Sequence, residues 1–367
     1  MYSYAVPGIG RTEANTMNMQ TSANLRFLCL GTGAIGTYIG GSLAAAGQPV
    51  VFVDRPEMAA LLKENGLHIR RKDDSLTVAD PDVVSSMEEA LTHGPFDVGI
   101  LAVKSYDTAG LLEMLAPYSL ALPPILCLQN GVDNEPALQQ VLGAERVIHG
   151  TVTTAVGRLD AGSVVVEKLR GMGVANEHLL ASNLVAVLNT AGLHAQAFSS
   201  GAAMKWSKMF TNLVTNASSA ILGMPPTEIL ADAGLYRLEL AQLREALSVM
   251  RALGHAVVDL PGTPVRALAF IVRRFPAALS QPVLRQALGR GRGGKMPSFY
   301  LDLESGRGKS EVGFLNGAVV RYGAEVGVKA PVNQALTEIL TDLTEGRLAR
   351  ADFLRRPAAL INRIYGR

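Results

Sequence analysis

The sequence has few cysteines and no large excess of charge of either sign. Its 367 residues include two cysteines, Cys29 and Cys127, and each lies in a short apolar run that is typical of a buried strand. A disulfide framework or a cysteine-based metal site is therefore not predicted. Lys and Arg together number 34 and Asp and Glu 32, which gives a formal net charge of +2. This excess is too small to favour nucleic acid as the main partner.

Long apolar runs and clustered histidines are also missing. No stretch of about 18 uninterrupted apolar residues occurs, so the sequence predicts no membrane span. The six histidines are scattered without the spacing of metal ligands, and we expect no metal site. Residues 1–23 lack the charged start and apolar block of a secretory signal. We therefore expect a disordered extension over residues 1–23 and a cytoplasmic protein.

The chain does contain ample apolar material, arranged in two different patterns. Hydrophobic residues make up 48% and charged residues 18%, a composition typical of a folded globular protein. At roughly 150 residues per domain, the length predicts two domains. Over residues 24–198 short aliphatic runs alternate with helical stretches, as in a βαβ sheet, whereas over residues 199–367 apolar positions recur at helical spacing. The predicted fold is an α/β domain followed by an all-α domain.

Individual strands and helices are predicted from the same patterns. Strands are expected at residues 26–30, 50–53, 98–103, 125–128 and 147–156, with a hairpin-like pair within 66–78. Helices are expected at residues 35–46, 108–116, 204–222, 235–253, 312–326 and 332–343. Segment 261–297 contains several prolines and "GRGRGGK", so we expect a mobile or inserted connection with one helix inside it.

The stretch "FLCLGTGAIGTYIGG" carries the most informative motif. Its Gly31-x-Gly33-x-x-Gly36 spacing follows an apolar strand and opens a helix, and in that context it indicates a dinucleotide-binding turn. Gly31 permits the tight turn, Gly33 lets the backbone approach a pyrophosphate, and Gly36 lets helix and strand pack closely. The N–H groups at the helix start, at Ala34 and Ile35, attract the anion. The alternative is a glycine-rich turn that binds no nucleotide.

Asp54 and Arg55 follow the second predicted strand, and they bear on the choice of cofactor. Asp54 lies 18 residues after Gly36, where dinucleotide-binding folds place the residue that contacts the adenine ribose. An acidic residue there accepts hydrogen bonds from the ribose hydroxyls and favours NADH, whereas a basic residue accommodates the 2′-phosphate of NADPH. The sequence offers one of each, side by side.

A polar stripe in "MKWSKMFTNLVTNASSAI" supplies candidates for chemistry. Lys208, Asn212 and Asn216 are spaced by four, so on one helix each is rotated by only about 40° from the one before. A reductase that transfers hydride to a carbonyl needs an acid to protonate the oxygen, and a lysine in a cleft can supply that proton. The alternative is that all three side chains lie on a solvated helix surface.

Three further segments complete a pattern that resembles the ketopantoate reductase family. They are "LAVKSYDT" with Lys104, "LQNGVDN" with Asn130, and "PSFYLDLESGRGKSEVGFLNGAVV" with Ser298 and Glu311, in the order seen in that family together with the glycine turn and the stripe. The resemblance spans roughly residues 25–345. It implies an N-terminal Rossmann domain over 24–198, a helical substrate-binding and dimerisation domain over 199–367, and NADPH-dependent reduction of 2-dehydropantoate to pantoate in pantothenate biosynthesis.

The resemblance also implies a role for each candidate residue. Lys208 would be the general acid. The substrate would be held by Asn130, Asn212, Asn216 and Ser298. The cofactor would be bound by Gly31, Gly33, Ala34, Ile35, Gly36, Asp54, Arg55, Lys104, Asn130 and Glu311. Asp54 departs from the neutral residue that the family often has, which keeps NADH open as the cofactor, while the basic Arg55 favours NADPH.

Simpler structural roles remain open for several of these residues. Lys104 could end a strand in solvent, Asn130 could belong to an ordinary Asn-Gly turn, Ser298 could cap a helix, and Glu311 could stabilise a helix start. A related 2-keto acid or β-hydroxyacid dehydrogenase is the alternative enzyme. A non-catalytic dinucleotide-binding protein is the alternative from another class. The expected partner is a small 2-keto acid, and a homodimer is one option for the assembly.

Overall fold

The computed structural model describes residues 24–292 and 295–366, except for the side chains of 288–292. The predicted disordered extension over 1–23 and part of "GRGRGGK" lie outside the described residues. Two β-sheets with their helices occupy the first half, and helices make up most of the second half. The predicted order, an α/β part followed by a helical part, is confirmed.

Twelve strands lie in the described part of the first half. They are β1 Phe27–Leu30, β2 Val50–Val53, β3 Leu67–Arg70, β4 Ser75–Val78, β5 Asp82–Val84, β6 Val98–Leu101, β7 Ile125–Cys127, β8 Val147–Val152, β9 Ala155–Asp160, β10 Ser163–Lys168, β11 Met172–Ala175 and β12 Ala195–Phe198. The predicted strand 147–156 is wrong in one respect, because the chain leaves the main sheet after Val152 and starts a strand of the second sheet at Ala155.

The main sheet has the order of a doubly wound nucleotide-binding fold. Its strands run β12-β11-β8-β7-β6-β1-β2-β5, and the six from β5 to β8 are all parallel. The connections reverse direction at β1, so the carboxyl ends of β1 and β6 border a crevice where such sheets bind ligands. β8 and β11 pair antiparallel, which adds β11 and β12 to the far edge. The second sheet, β4-β3-β10-β9, is hydrogen-bonded separately and shares an apolar cluster with the main sheet.

Six helices belong to the first half and ten to the second, within the described residues. The first six are α1 Ala34–Ala45, α2 Pro56–Asn65, α3 Met87–Thr92, α4 Thr108–Leu115, α5 Asn134–Leu142 and α6 Ala181–Thr190. The others are α7 Gly201–Leu213, α8 Asn216–Leu222, α9 Pro226–Ala231, α10 Ala233–Ala252, α11 Val265–Arg274, α12 Ala277–Arg292, α13 Ser298–Glu304, α14 Val312–Glu325, α15 Pro331–Thr344 and α16 Pro357–Tyr365. Short 3₁₀ turns link some of them.

The apolar patterns have the expected structural consequences. β1 and β2 are buried along their whole length, as is typical of a parallel sheet covered by helices on both faces. Two apolar clusters lie against the main sheet. A third fills the helical half around Phe210, Tyr236 and Phe299. Val132, from the loop after β7, packs into that third cluster, so the two halves share buried surface.

The predicted helix over 204–222 is wrong as a single element. α7 ends at Leu213 and α8 starts at Asn216. Between them Thr215 has a φ of 58°, a left-handed conformation that non-glycine residues rarely adopt. The buried Glu239 carboxylate accepts a hydrogen bond from Thr215 N at 2.8 Å, which stabilises the break. Asn216 therefore starts a new helix and does not continue the stripe of Lys208 and Asn212.

The expectation for segment 261–297 is corrected by the structure. It contains two helices, α11 and α12, where one was predicted, and α12 runs through Pro282. The Arg244 guanidinium on α10 donates to the carbonyls of Val272 and Phe275 at 2.8 and 2.9 Å, which fixes the turn between them. Across the described residues, no helix is both long and apolar enough to span a bilayer.

Candidate active site

The glycine turn lies at the carboxyl end of β1, at the switch point of the main sheet. Gly31 has a φ of 90°, and a Cβ there would lie 2.7 Å from Cγ1 of Val103, beyond the end of β6. At Gly36 a Cβ would lie 1.9 Å from the Gly31 carbonyl oxygen. Both positions therefore require glycine for the strand, turn and helix to pack.

Gly33 differs from the other two glycines because it faces open space. No atom lies within 4 Å of a Cβ built there, and Gly33, Ala34 and Ile35 are all partly exposed. No side chain caps the first N–H groups of α1. An uncapped helix start beside open space is suited to binding a phosphate, so the turn fits the pyrophosphate of a dinucleotide.

Asp54 lies directly after β2 and faces the glycine turn. Its Oδ2 accepts from Thr32 N at 2.7 Å and from the Thr32 hydroxyl, and its Oδ1 accepts from Arg55 N at 2.8 Å. The carboxylate therefore holds the turn in place as well as standing where an adenine ribose would lie. Arg55 is exposed at the start of α2, beside the same edge.

Two more predicted residues lie at the carboxyl ends of neighbouring strands. Lys104 follows β6, and Asn130 follows β7. Because β1, β6 and β7 are parallel neighbours, their carboxyl ends bring the glycine turn, Lys104 and Asn130 to one edge of the sheet. Gly131 has a φ of 91°, and a Cβ there would lie 2.8 Å from the Phe314 carbonyl oxygen of α14. This edge of the sheet therefore contacts the helical half.

α7 lies across this edge and presents the other candidate residues. Asn212 donates from Nδ2 to Asn130 Oδ1 at 3.1 Å. Lys208, one turn before Asn212, is partly buried. Lys205, a further turn back, donates from Nζ to the Gln129 carbonyl oxygen at 2.5 Å. Lys208 thus lies on α7 between two residues that contact residues 129 and 130.

Asn216 and Ser298 form a second polar pair. Asn216 is 4% exposed; its Nδ2 donates to Ser298 Oγ at 3.3 Å, and its Oδ1 accepts from Phe299 N at 3.1 Å. The Asn216 amide therefore holds the first turn of α13. Pro297 occupies the N-cap position of α13, and the Ser298 hydroxyl makes no capping hydrogen bond, so the alternative role of Ser298 as an N-cap is not the one observed.

Lys104 forms an ionic cluster with two carboxylates of the helical half. Its Nζ lies 3.1 Å from both oxygens of Asp302 and 2.9 Å from Oε2 of Glu311. Burial by itself lowers the pKa of Lys104, but Glu311 and Asp302 outweigh it and raise the pKa. For Asp302 burial is the largest cause, and it raises the pKa of the carboxyl despite Lys104. Lys104 therefore does not simply end a strand in solvent.

The Glu311 carboxylate also reaches the loop that carries Asn130. Its Oε1 accepts from Ser105 N at 3.3 Å and lies 3.1 Å from the Ser105 hydroxyl. That hydroxyl lies 2.8 Å from the Asn130 carbonyl oxygen, which also accepts from Asn134 Nδ2 at 2.8 Å. Glu311 stands at the N-cap position of α14 without making a side-chain capping bond there. Its carboxylate instead contacts Lys104 and Ser105 and so links the helical half to the first half.

The candidate residues therefore form two groups. The turn residues and the Asp54–Arg55 pair line the cofactor edge, while Lys104, Asn130, Lys208, Asn212, Asn216, Ser298 and Glu311 lie where the sheet edge meets α7, α13 and α14. Among the described residues, no three His, Cys, Asp or Glu side chains are placed to hold a metal ion.

Sequence reasoning missed several residues of this region. Lys205 and Glu135 form an ion pair with 2.6 Å between Nζ and Oε1, with 3% and 1% of their side chains exposed. Thr32, Ser105 and Asp302 were missed as well. One signal was present for Lys205, which precedes Lys208 by three residues and so shares its helix face. The other four residues make their contacts with residues that are distant in sequence, and sequence spacing does not reveal such contacts.

Comparison with known proteins gives matches over almost all of the described chain. The model for the family "Ketopantoate reductase PanE/ApbA" matches residues 27–176, and the model for its C-terminal part matches residues 202–344. The 2-dehydropantoate 2-reductase of Archaeoglobus fulgidus is 27% identical over 331 residues, which cover 88% of this chain and 98% of that one.

Solved structures give a similar result. A PanE/ApbA family ketopantoate reductase from Ralstonia eutropha JMP134 matches with a TM-score of 0.73 at 25% identity, over 88% of this chain and 99% of that one. A D-mandelate dehydrogenase in complex with NADH matches with a TM-score of 0.70 at 21% identity, over 88% and 99% of the two chains. At that identity the second likeness shows the fold alone.

Proposed function

Because this chain belongs to the ketopantoate reductase PanE/ApbA family, we propose that it is an oxidoreductase that reduces 2-dehydropantoate to pantoate with NADPH. In this proposal residues 24–198 form the dinucleotide-binding domain and residues 199–367 the substrate-binding domain. The reaction belongs to pantothenate biosynthesis. Both cysteines are buried and unpaired, which suits a cytoplasmic enzyme. A homodimer is part of the proposal, and light scattering of the purified protein tests it.

The cofactor edge has the features that a dinucleotide needs. The open space at Gly33 receives the pyrophosphate, and the first N–H groups of α1 bind it. The bound cofactor supplies the hydride. Arg55 is exposed and long enough to meet a 2′-phosphate, which supports NADPH, whereas the Asp54 carboxylate supports NADH through the ribose hydroxyls. D-mandelate dehydrogenase binds NADH in its solved structure, but that enzyme shares only the fold with this chain and does not decide between the two cofactors.

The polar side chains between the two halves bind the keto acid. Asn130 and Asn212 present amides from opposite sides of the cleft, and Asn216 and Ser298 present an amide and a hydroxyl nearby. Amide N–H groups donate to a carboxylate without neutralising it, and amide oxygens accept from a hydroxyl. These four residues therefore orient the substrate carboxylate and hydroxyl groups.

Lys208 carries the proton that completes the reduction. Its ammonium donates to the keto oxygen, which lowers the energy of the negative charge that develops there, an effect commonly worth several kcal/mol in a closed site. The proton then passes from Nζ to that oxygen as the alcohol forms. Lys104 is engaged with Asp302 and Glu311, so its role is to hold the two halves together beside the cofactor and substrate.

One observation supports this proposal above the others. The Asn212 amide on α7 bonds to the Asn130 amide at the end of β7, across 82 residues of sequence. A solvated stripe on α7 would make no such contact with the loop beside the cofactor edge. The contact therefore favours a cleft that holds both nicotinamide and substrate.

The test is an absorbance assay that follows the oxidation of NADPH and of NADH separately. We expect NADPH oxidation that depends on 2-dehydropantoate, faster than with pyruvate, phenylglyoxylate or other 2-keto acids. Faster turnover of another keto acid with NADH would instead support the related 2-keto acid dehydrogenase, which Asp54 favours. Binding of either cofactor by fluorescence titration without oxidation by any keto acid would support a non-catalytic dinucleotide-binding protein.

A further inference from the structure

An ion pair lies buried beneath the candidate cleft and has no part in the mechanism above. Lys205 on α7 and Glu135 on α5 are both almost fully inaccessible to solvent, and their charged atoms are 2.6 Å apart. Burying two charges is expensive unless each is well compensated. A buried ion pair often adds little net stability to a fold. A gain in stability is therefore not enough to explain why this pair lies here.

The remaining contacts of Lys205 lie on the sheet. Its Nζ donates to the carbonyl oxygens of Gln129 at 2.5 Å and of Gly150 at 3.3 Å. Three oxygens thus lie close to the ammonium: the two carbonyl oxygens accept its hydrogen bonds, and Glu135 Oε1 pairs with its charge. Gln129 follows β7 and directly precedes Asn130, and Gly150 lies in β8. The ammonium therefore joins α7, α5 and two strands of the sheet at a single point.

The position of Lys205 on α7 relates it to the candidate residues. Gly201, Lys205, Lys208 and Asn212 have the spacing of one helix face. At Gly201 a Cβ would lie 2.5 Å from Cγ of His149 in β8, so the start of α7 lies hard against that strand. The same face thus has two anchors on the sheet, Gly201 and Lys205, followed by the proposed acid and the amide that contacts Asn130.

We propose that the Lys205–Glu135 pair positions α7 on β8 and on the loop after β7, and so sets where Lys208 and Asn212 stand relative to Asn130. This inference rests on the proposed function. Lys205 is a positioning residue and not the proton donor, because its ammonium is enclosed by three protein oxygens. Burial by itself lowers the pKa of Lys205, but Glu135 outweighs it and raises the pKa. The Lys205 ammonium therefore stays charged at neutral pH.

The test replaces the pair while keeping its volume apolar. Lys205→Met alone leaves the Glu135 carboxylate buried without its partner and is expected to destabilise the fold. The informative variant is therefore the double change Lys205→Met with Glu135→Leu. Apolar replacements of both members of a buried ion pair are often tolerated. In this double variant we expect kcat to fall by about 10- to 100-fold. We expect the Kd for NADPH to change by less than about threefold, because the glycine turn is untouched.

Hydrogen exchange supplies a second readout that does not depend on activity. We expect the amides of residues 128–132 to exchange faster in the double variant than in the wild type, because Gln129 has lost its link to α7. The matched control is Glu245→Gln, which removes the charge of a partly buried carboxylate that accepts from Val332 N and Asn333 N. It is expected to lower stability while leaving kcat and exchange at 128–132 unchanged.

The outcomes separate this inference from the proposed function. Faster exchange at 128–132 together with a reduced kcat supports it. Unchanged exchange at 128–132, or a kcat in the double variant equal to that of Glu245→Gln, overturns it and leaves the pair with a purely structural role. If the wild type itself oxidises no NADPH with any keto acid, the proposed function fails, and the exchange result alone then decides whether the pair positions α7.

Discussion

At the scale of single residues, Asp54 has two roles that oppose each other. It supports the glycine turn through Thr32, and it places a negative charge where NADPH would carry its 2′-phosphate. The sequence predicted its place after the second strand and the conflict with Arg55. It could not predict the bond to Thr32, because that contact depends on how the turn folds back towards β2.

We expect Asp54→Asn to raise the preference for NADPH over NADH. The change removes the negative charge but keeps an oxygen that can accept from Thr32 N, so the turn should remain folded. If the Asp54 carboxylate repels the 2′-phosphate by about 1.4 kcal/mol, its removal changes kcat/KM about tenfold. We therefore expect the ratio of kcat/KM for NADPH to that for NADH to rise by roughly tenfold. Steady-state assays with each cofactor measure it.

Arg55→Ala is the matched control, and it should move the same ratio in the opposite direction. Its exposed side chain contributes positive charge without holding the turn. A ratio that stays constant in both variants would show that neither residue contacts the ribose end of the cofactor.

Lys205 marks the limit of sequence reasoning at this scale. Lysine is rarely buried, so a lysine on an amphipathic helix is naturally expected in solvent. Its burial depends on Glu135, 70 residues away in sequence on another element. The charge pairing that makes burial tolerable is a tertiary contact, and one sequence gives no sign of it.

At the scale of elements, regular patterns were predicted well and interruptions were not. α1 and α10 differ from their predicted bounds by one or two residues, because each has a continuous apolar face. The break between α7 and α8 was missed, since Thr215 is not a residue that predicts a left-handed turn. It adopts one because Glu239 holds its backbone. One of the two helices of segment 261–297 was missed because its prolines suggested irregular chain.

The three glycines of the turn are expected to respond differently to substitution by alanine. Gly36→Ala places a methyl group 1.9 Å from the Gly31 oxygen, so α1 must move, and we expect a loss of about 1–3 kcal/mol in the free energy of unfolding. Gly33→Ala meets no atom within 4 Å, so stability should be unchanged. Both should weaken cofactor binding by about tenfold or more, as measured by fluorescence titration and thermal unfolding.

Gly110→Ala is the control for this pair of substitutions. Gly110 lies inside α4 with open space around its Cβ position, so alanine should stabilise the helix by about 0.5–1 kcal/mol without affecting cofactor binding. If Gly33→Ala left the Kd for NADPH unchanged, the open space beside Gly33 would not be the phosphate site.

At the scale of the whole molecule, the candidate site is made where the two halves meet. The Asn130–Asn212 and Lys104–Glu311 contacts cross this boundary, as do the ion pairs Lys309–Asp107 at 2.8 Å and Arg321–Asp133 at 2.5 Å. The sequence supplied the fold class and, through the family resemblance, the residue types. The pairing of these residues across the boundary could not be predicted, because it depends on the docking of α7, α13 and α14 on the sheet edge.

The central claim is that the two halves divide the work, with the sheet edge binding the cofactor and Lys208 on α7 supplying the proton. The most direct measurement is the single-turnover rate of NADPH oxidation by 2-dehydropantoate in Lys208→Ala, together with the Kd for NADPH. The control is Lys329→Ala, which changes an exposed lysine of the same half. We predict a rate lower by a factor of about 10² to 10⁴ for Lys208→Ala, a Kd within about threefold of the wild type, and no change for Lys329→Ala. A near-normal rate in Lys208→Ala, or a loss of cofactor binding in parallel with the rate, would contradict the account.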